Sequence, residues 1–437
     1  MKSISIALAI AASVVCSGRA AADELEDKPI DRWAVVRAVL ARHPEVRAAD
    51  AEARSVRASV AAEGTLPPPE AMAQVWQIPL EKPYAVNEAG MVMFGVTQRF
   101  PSPGALDLRE EARRSEADAA DLMTRDKARL VARDAGHAFV AYAEARARHD
   151  LHAGHEHIER RIAEIAHARH ATGGSLAEAV RADAEVARTS ADVASEAISE
   201  RTAQSELNVL LGRPLDGRLG TPAAGEPRVP TEGVDVLVAR AVANRPEPQA
   251  AARMRAARES DVRAARTEAN VPSFALSGLY FPKVGPAMSH AYGVSAAVEL
   301  PWLWGGAKER LTREEARAAA AAASATASAQ PIAVEVVAAR AATMRAAERL
   351  RVLTASALPA GKRAVDVEAA GYESGGTSLQ AVLEARRNLV DIEMAVVDAR
   401  AALDHALVDL EAAVGGPVAT QALFSSSAPS AEVRHEH

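Results

Sequence analysis

Hydrophobic and polar residues alternate along one short segment of the chain. Val92, Phe94, Val96 and Phe100 share one parity, and Met93, Gly95, Thr97 and Arg99 the other. A period of two predicts a β-strand with one apolar face. The pattern returns at about 272–281 (Phe274, Leu276, Gly278, Tyr280) and at about 291–300 (Tyr292, Val294, Ala296, Val298, Leu300). A further segment at about 72–80 precedes the 91–100 strand across a polar stretch with Pro83, Asn87 and Gly90, so two hairpins are expected.

The rest of the pattern is helical. From about Ala105 to His170 no proline interrupts an alanine-rich run of helix formers, which predicts one helix of roughly 100 Å at about 1.5 Å per residue. Gly173-Gly174 breaks it, and Ser175-x-x-Glu178 reads as a capping box for a second helix reaching Leu211. Asp31 is a good N-cap for an earlier helix that Pro44 interrupts and restarts, and that ends near Glu63 before Pro67-Pro68-Pro69. In the second half a helix covers about 234–268. Another runs from about Lys308 to Tyr372, where Pro331 and Pro359 should kink it. Gly375-Gly376 breaks that helix, and Thr377-x-x-Gln380 restarts one ending near Val414.

These elements occur twice. His43-Pro44-Glu45 is echoed by Arg245-Pro246-Glu247, Phe100-Pro101 by Leu300-Pro301, and Gly173-x-Ser175-Leu176 by Gly376-x-Ser378-Leu379. Leu207…Gly212-x-Pro214 returns as Leu410…Gly415-x-Pro417. Near-constant offsets in the same order mean a tandem duplication, with a period far longer than the roughly 20–50 residues of a solenoid unit. The expected organisation is a first repeat over 23–212, a Pro/Gly-rich linker over 213–233, a second repeat over 234–416, and a Ser/Ala-rich disordered tail over 417–437.

The first 22 residues, with Lys2, an apolar run from Ile4 to Val15 and Ala20-Ala21-Ala22, read as a secretory signal peptide. Lipid attachment at Cys16, the single cysteine, is the alternative to cleavage after Ala22. A net charge of −7 argues against a nucleic-acid partner. No later stretch is apolar enough for a transmembrane helix, which leaves a soluble domain or a β-barrel membrane protein. The sequence shows no G-x-S-x-G, H-E-x-x-H or P-loop, so neither an enzyme nor a cofactor is expected.

Three observations favour the membrane. Each strand has about the 9–11 residues that cross a bilayer obliquely. Ten of the fifteen aromatic residues lie in or beside the hairpins, among them Trp76, Tyr280, Trp302 and Trp304, as interfacial girdles would require. The polar parity carries Thr97, Arg99, Ser295 and Glu299, suited to a wet lumen. The competing reading packs two amphipathic hairpins on the helices of a soluble protein. In lipid, four strands cannot close a barrel, so several copies must share one, with two, three or four copies giving 8, 12 or 16 strands.

With the duplication, the strand exits QRFPSPG (Gln98–Gly104) and ELPWLWGG (Glu299–Gly306), the tips HATGGSLAEAVRADAEVA and YESGGTSLQAVLEARRNL, and the ends LNVLLGRP and LEAAVGGP, the chain resembles the TolC-like outer membrane factors. The family's usual Asn-Pro is His43-Pro44 and Arg245-Pro246 here. The resemblance implies a mainly α fold with a small β part. Duplicated halves would give four strands per chain to a 12-stranded barrel shared by a homotrimer, continued by a periplasmic α-helical barrel. Implied partners are outer-membrane lipid, a periplasmic adaptor protein and an inner-membrane pump of the resistance-nodulation-division type. The implied function is the passive exit duct of a tripartite efflux system. Alternatives are a type I protein-secretion duct and a periplasmic coiled-coil structural or adaptor protein.

The resemblance makes Gly173, Leu176, Gly376, Thr377 and Leu379 candidate adaptor contacts at the tips, although helix reversal alone also explains the glycines. It places Glu384 in an entrance ring, with Ala381 at a second ring position. Pairing of Glu384 with Arg387 or Asn388 is the simpler alternative. His149, His152 and Glu156 share helical neighbourhoods that could hold a metal, as could His435 and His437 in the tail, and a solvated polar stripe is the competing reading. These histidines favour the heavy-metal branch over other small toxic cargo.

Overall fold

A computed structural model describes residues 28–78, 80–81, 83–84, 89–223, 225–283, 289–303 and 306–424. The signal segment, Cys16, Trp304, His435 and His437 lie outside them. The chain forms two compact units, one of Ala48–Asp126 with Pro246–Gln330, the other of Met1–Arg47, Lys127–Arg245 and Pro331–His437.

The first unit holds the four long strands, β1 (Glu70–Trp76), β2 (Met91–Phe100), β4 (Ser273–Phe281) and β5 (Ala291–Glu299). They form one antiparallel sheet in the order β1-β2-β4-β5. The two hairpins meet along β2 and β4, where Phe94 pairs with Tyr280 and Phe100 with Phe274. Strands β1 and β5 are left as the edges. Ser102 Oγ donates to the Val271 carbonyl at 2.7 Å and joins the roots of the hairpins.

The helices run through both units; the first, α1 (Arg32–Arg42) of the second unit, is capped by Asp31, whose carboxylate accepts from Ala34 N at 2.8 Å. Helix α2 (Pro44–Glu63) starts on its proline, and helices α3 (Ala105–Ala171) and α4 (Leu176–Leu210) follow. The helix expected over 234–268 is two, α5 (Val234–Asn244) and α6 (Pro246–Asn270), because Arg245 is extended at φ −65°, ψ 128° ahead of a proline. Pro331 does not end α7 (Ala307–Val352), and the division between the two units falls beside it. Before Pro359 a π turn, Leu353–Ala357, hands over to α8 (Leu358–Glu373). Its wider spacing accommodates a ring that clashes with the carbonyl four residues back. Helix α9 (Leu379–Val414) ends at Gly415, φ +83°. None of these helices is long and apolar enough to cross a membrane.

The core repeats with the sequence. Val35 and Val39 of α1 pack on Val131 and Ala135 of α3 and on Leu207 and Leu211 of α4. Leu237 and Ala241 of α5 pack likewise on Ile332 and Val336 of α7 and on Leu410 and Val414 of α9. Corresponding residues therefore occupy corresponding places. The tail expected to be disordered from Pro417 instead contributes strand β6 (Thr420–Ala422), paired with β3 (Arg228–Pro230) of the linker. Backbone pairing, which needs no apolar pattern, orders both segments.

Candidate functional site

The sheet has two unlike faces. On one, Phe94, Val96 and Phe100 of β2, Phe274 and Leu276 of β4, and Tyr292, Val294 and Val298 of β5 are all exposed. The register makes them neighbours: Phe100, Phe274 and Val298 form one row across three strands, and Phe94, Tyr280 and Tyr292 another. These rows lie six residues apart, about 20 Å along a strand, with Val96, Leu276 and Val294 between them and the amide of Gln98 turned to the Pro67 carbonyl at 2.8 Å. That matches an apolar band edged by aromatic rings. Tyr280 stands at the turn end, its ring 5.3 Å from that of Tyr292, with its hydroxyl 2.7 Å from His290 Nδ1. Trp302, past the root of β5, is exposed.

Trp76 departs from expectation. It pairs with Met91, while the apolar face takes Ala71, Ala73 and Val75 from β1, so Trp76 shares the other face. There its Nε1 donates to Gln74 Oε1 at 3.2 Å. The sequence Glu70–Trp76 shows no clear alternation, so only pairing fixes its parity. On this second face Gly95 and Thr97 are buried beneath neighbouring side chains while Phe94 and Val96 beside them are exposed.

The two helix reversals share one geometry. Gly173 has φ +100° and Gly174 N donates to the Arg169 carbonyl at 2.9 Å; Gly375 has φ +78° and Gly376 N donates to the Gly371 carbonyl at 2.8 Å. Each has the Schellman pattern, in which glycine takes the left-handed position. Gly173 therefore corresponds to Gly375 and not, as the sequence spacing suggested, to Gly376. The second tip has one extra residue, Thr377, whose Oγ1 donates to the Glu368 carbonyl at 3.1 Å. The caps differ from expectation too. Ser175 makes no side-chain cap bond, and Ser378 in place of Thr377 accepts from Ala381 N at 3.4 Å.

Of the tip candidates, Leu176 is 58% exposed, while Leu379 is 2% exposed and packs on Ala163, Ala166, Ala179 and Ala182. Leu379 is a core residue and leaves the set of contact candidates. Side chains not singled out in the sequence join the two tips. Tyr372 OH donates to Glu178 Oε2 at 3.1 Å, and the Arg169 guanidinium lies 4.2 Å from the Tyr372 ring centroid. Glu384 is exposed on α9, and its expected partner Arg387 donates instead to Glu185 through Nε at 2.9 Å.

The histidines do not assemble a metal centre. His149 Nδ1 lies 2.7 Å from Glu200 Oε2, whereas Glu156 accepts from Arg160 at 2.7 Å and from Ser190. His152 borders a polar cavity of about 10 Å³, room for one water, lined also by His155, Glu159, Glu185 and Arg387. No group of three His, Cys, Asp or Glu able to hold a metal ion occurs among the described residues. Helix α3 uses its histidines to reach carboxylates on neighbouring helices: His137 to Asp409 at 2.8 Å, His155 to Glu393 at 2.6 Å and His167 to Asp183 at 2.9 Å. These pairs join residues far apart in the chain, which sequence periodicity cannot show.

The outer membrane efflux protein family matches residues 237–416, essentially the second repeat. No curated protein matches the chain in sequence. The solved outer-membrane channel OprN is 22% identical, covering 87% of this chain and 89% of its own at a TM-score of 0.71. A membrane protein from Pseudomonas aeruginosa is 21% identical over 92% and 94% at 0.74, and CusC 18% identical over 90% and 94% at 0.74. At such identities the likeness is one of fold. The second repeat thus matches the outer membrane efflux protein family, and over nearly all its length the chain is similar in fold to solved outer-membrane channels.

Proposed function

We propose that this chain is the outer-membrane duct of a tripartite efflux system, a passive conduit for cargo delivered by an inner-membrane pump through a periplasmic adaptor. The observation that carries the reading is a sheet with one exposed apolar face and two unpaired edges. In hydrocarbon each unpaired backbone group costs several kcal/mol, so β1 of one copy must meet β5 of the next. Three copies of the four-stranded sheet would pool twelve strands. The long helices would extend the duct into the periplasm. The exposed tip residues Gly173, Leu176 and Gly376, with Thr377, would meet the adaptor, and Glu384 would face the entrance. Tyr280 and Trp302 would sit at the two lipid interfaces. Cargo would be small toxic compounds. The metal branch loses the support the histidines lent it, since His149 and Glu156 are engaged elsewhere.

The test is membrane fractionation followed by detergent extraction and mass measurement of the oligomer. A trimer released from the outer membrane by detergent is expected. A monodisperse monomer purified without detergent refutes the reading.

A further inference from the structure

The second face of the sheet, the inner one in the proposed barrel, lacks the uniform polarity of an ordinary water-filled barrel. Its half nearer the helices is polar. Arg99 Nε lies 3.2 Å from Glu70, Thr97 Oγ1 meets Ser277 Oγ at 2.7 Å, and Ser273 Oγ donates to Glu299 at 3.1 Å. Its half nearer the hairpin turns is mainly apolar: Met72, Met91, Met93, Leu279, Phe281 and Trp76 lie there with the amide of Gln74, which accepts from the Trp76 indole.

Two glycines decide how these side chains lie. A Cβ on Gly95 would come within 2.8 Å of Leu279 Cδ2 and 3.1 Å of Met72 Cγ. One on Gly293 would come within 3.3 Å of the Phe281 ring. Without those carbons, Leu279, Met72 and Phe281 rest over the glycines and lie along the sheet. The result is a flat, mainly apolar carpet.

We propose that this carpet is a binding surface for amphipathic organic cations in the outer half of the bore; this rests on the reading of the chain as a channel. Methionine side chains are flexible and polarizable, and such surfaces adapt to apolar bodies of many shapes. The sign of the charge follows from the rest of the face. The charged residues of these strands on that side are the carboxylates Glu70 and Glu299 and the single guanidinium Arg99. Three copies triple that acidic excess, which concentrates cations in the passage. A wholly polar cation gains nothing from the carpet, and an apolar anion is opposed by the carboxylates.

The test uses the purified oligomer in phosphatidylcholine planar bilayers, with potassium chloride carrying the current. Tetraphenylphosphonium and tetramethylammonium are added as blockers. Tetraphenylphosphonium should half-block the current at a concentration about tenfold lower, as expected if it covers some 60 Å² of apolar surface. Met72→Gln with Met93→Gln should raise that concentration at least about threefold, with open-channel conductance preserved. Phe281→Gln is the second variant should the pair fail to assemble. Equal block by the two cations, or block unchanged in the assembled variants, overturns the carpet while leaving the channel reading intact. Oligomers that pass no current, in the wild type and in Tyr372→Phe alike, overturn both.

Discussion

The contact between the tips gives the sharpest prediction. Tyr372→Phe removes one hydroxyl, the donor to Glu178 Oε2 at 3.1 Å, and leaves a ring beneath Arg169. A hydrogen bond to a charged acceptor contributes about 1.5–3 kcal/mol, and the half-buried setting here argues for the lower end. About 1.5 kcal/mol is roughly a tenfold change in an equilibrium constant. If that contact is made only in a closed entrance and the three tips of a trimer move together, the closed-to-open ratio should fall by about three powers of ten. Arg169→Ala removes the cation–π contact, worth about 0.5–1 kcal/mol near the surface, and should act in the same direction but more weakly. Single-channel recording of open probability measures both. A cycle with Glu178→Gln should return a coupling of about 1 kcal/mol, since the residues are in direct contact. Open probability unchanged in Tyr372→Phe and in Arg169→Ala refutes a role for this contact in keeping the entrance closed.

Three further outcomes follow from the same structure. Leu379→Ala should cost about 2–5 kcal/mol in denaturant unfolding, because it empties a buried site, whereas Leu176→Ala should leave stability within about 0.5 kcal/mol and weaken adaptor capture. Three Glu384 carboxylates about 8 Å apart would repel by roughly 2 kcal/mol per pair, so Glu384→Gln should reduce cation preference in reversal-potential measurements. Unchanged selectivity would remove Glu384 from the entrance. Burial, reinforced by neighbouring His137, holds His405 below its ordinary value of 6.5, against the opposing pull of Asp409 and Asp404. The unfolded chain therefore takes up a proton that the fold resists. The stability in question is present above about pH 6.5 and is lost as pH falls through the lowered value, so His405→Leu should flatten the pH dependence of the melting temperature there.

Much of this was legible in the chain. Alternation placed three of the four strands within a residue or two, the 200-residue echo gave the duplicated plan, and Asp31 and Pro44 marked helix starts that the structure keeps. Local rules failed where two neighbours could serve the same role. Ser378 caps α9 and Thr377 does not, because the second tip holds an extra residue that folds back onto α8. Leu379 could be read as surface or core from its spacing, and packing against four alanines made it core. The histidines of α3 looked like a cluster along one helix, yet they point to different neighbours.

By itself the sequence determined the kinds of element and their order, because helix and strand periodicity, caps and prolines act within a few residues along the chain. Only the tertiary structure decided which side Trp76 and Met72 occupy, which carboxylate each histidine meets, and that the linker and tail pair as strands. Those outcomes depend on register and on contacts between residues up to hundreds of positions apart, where a shift of one residue in a strand turns every side chain to the opposite face.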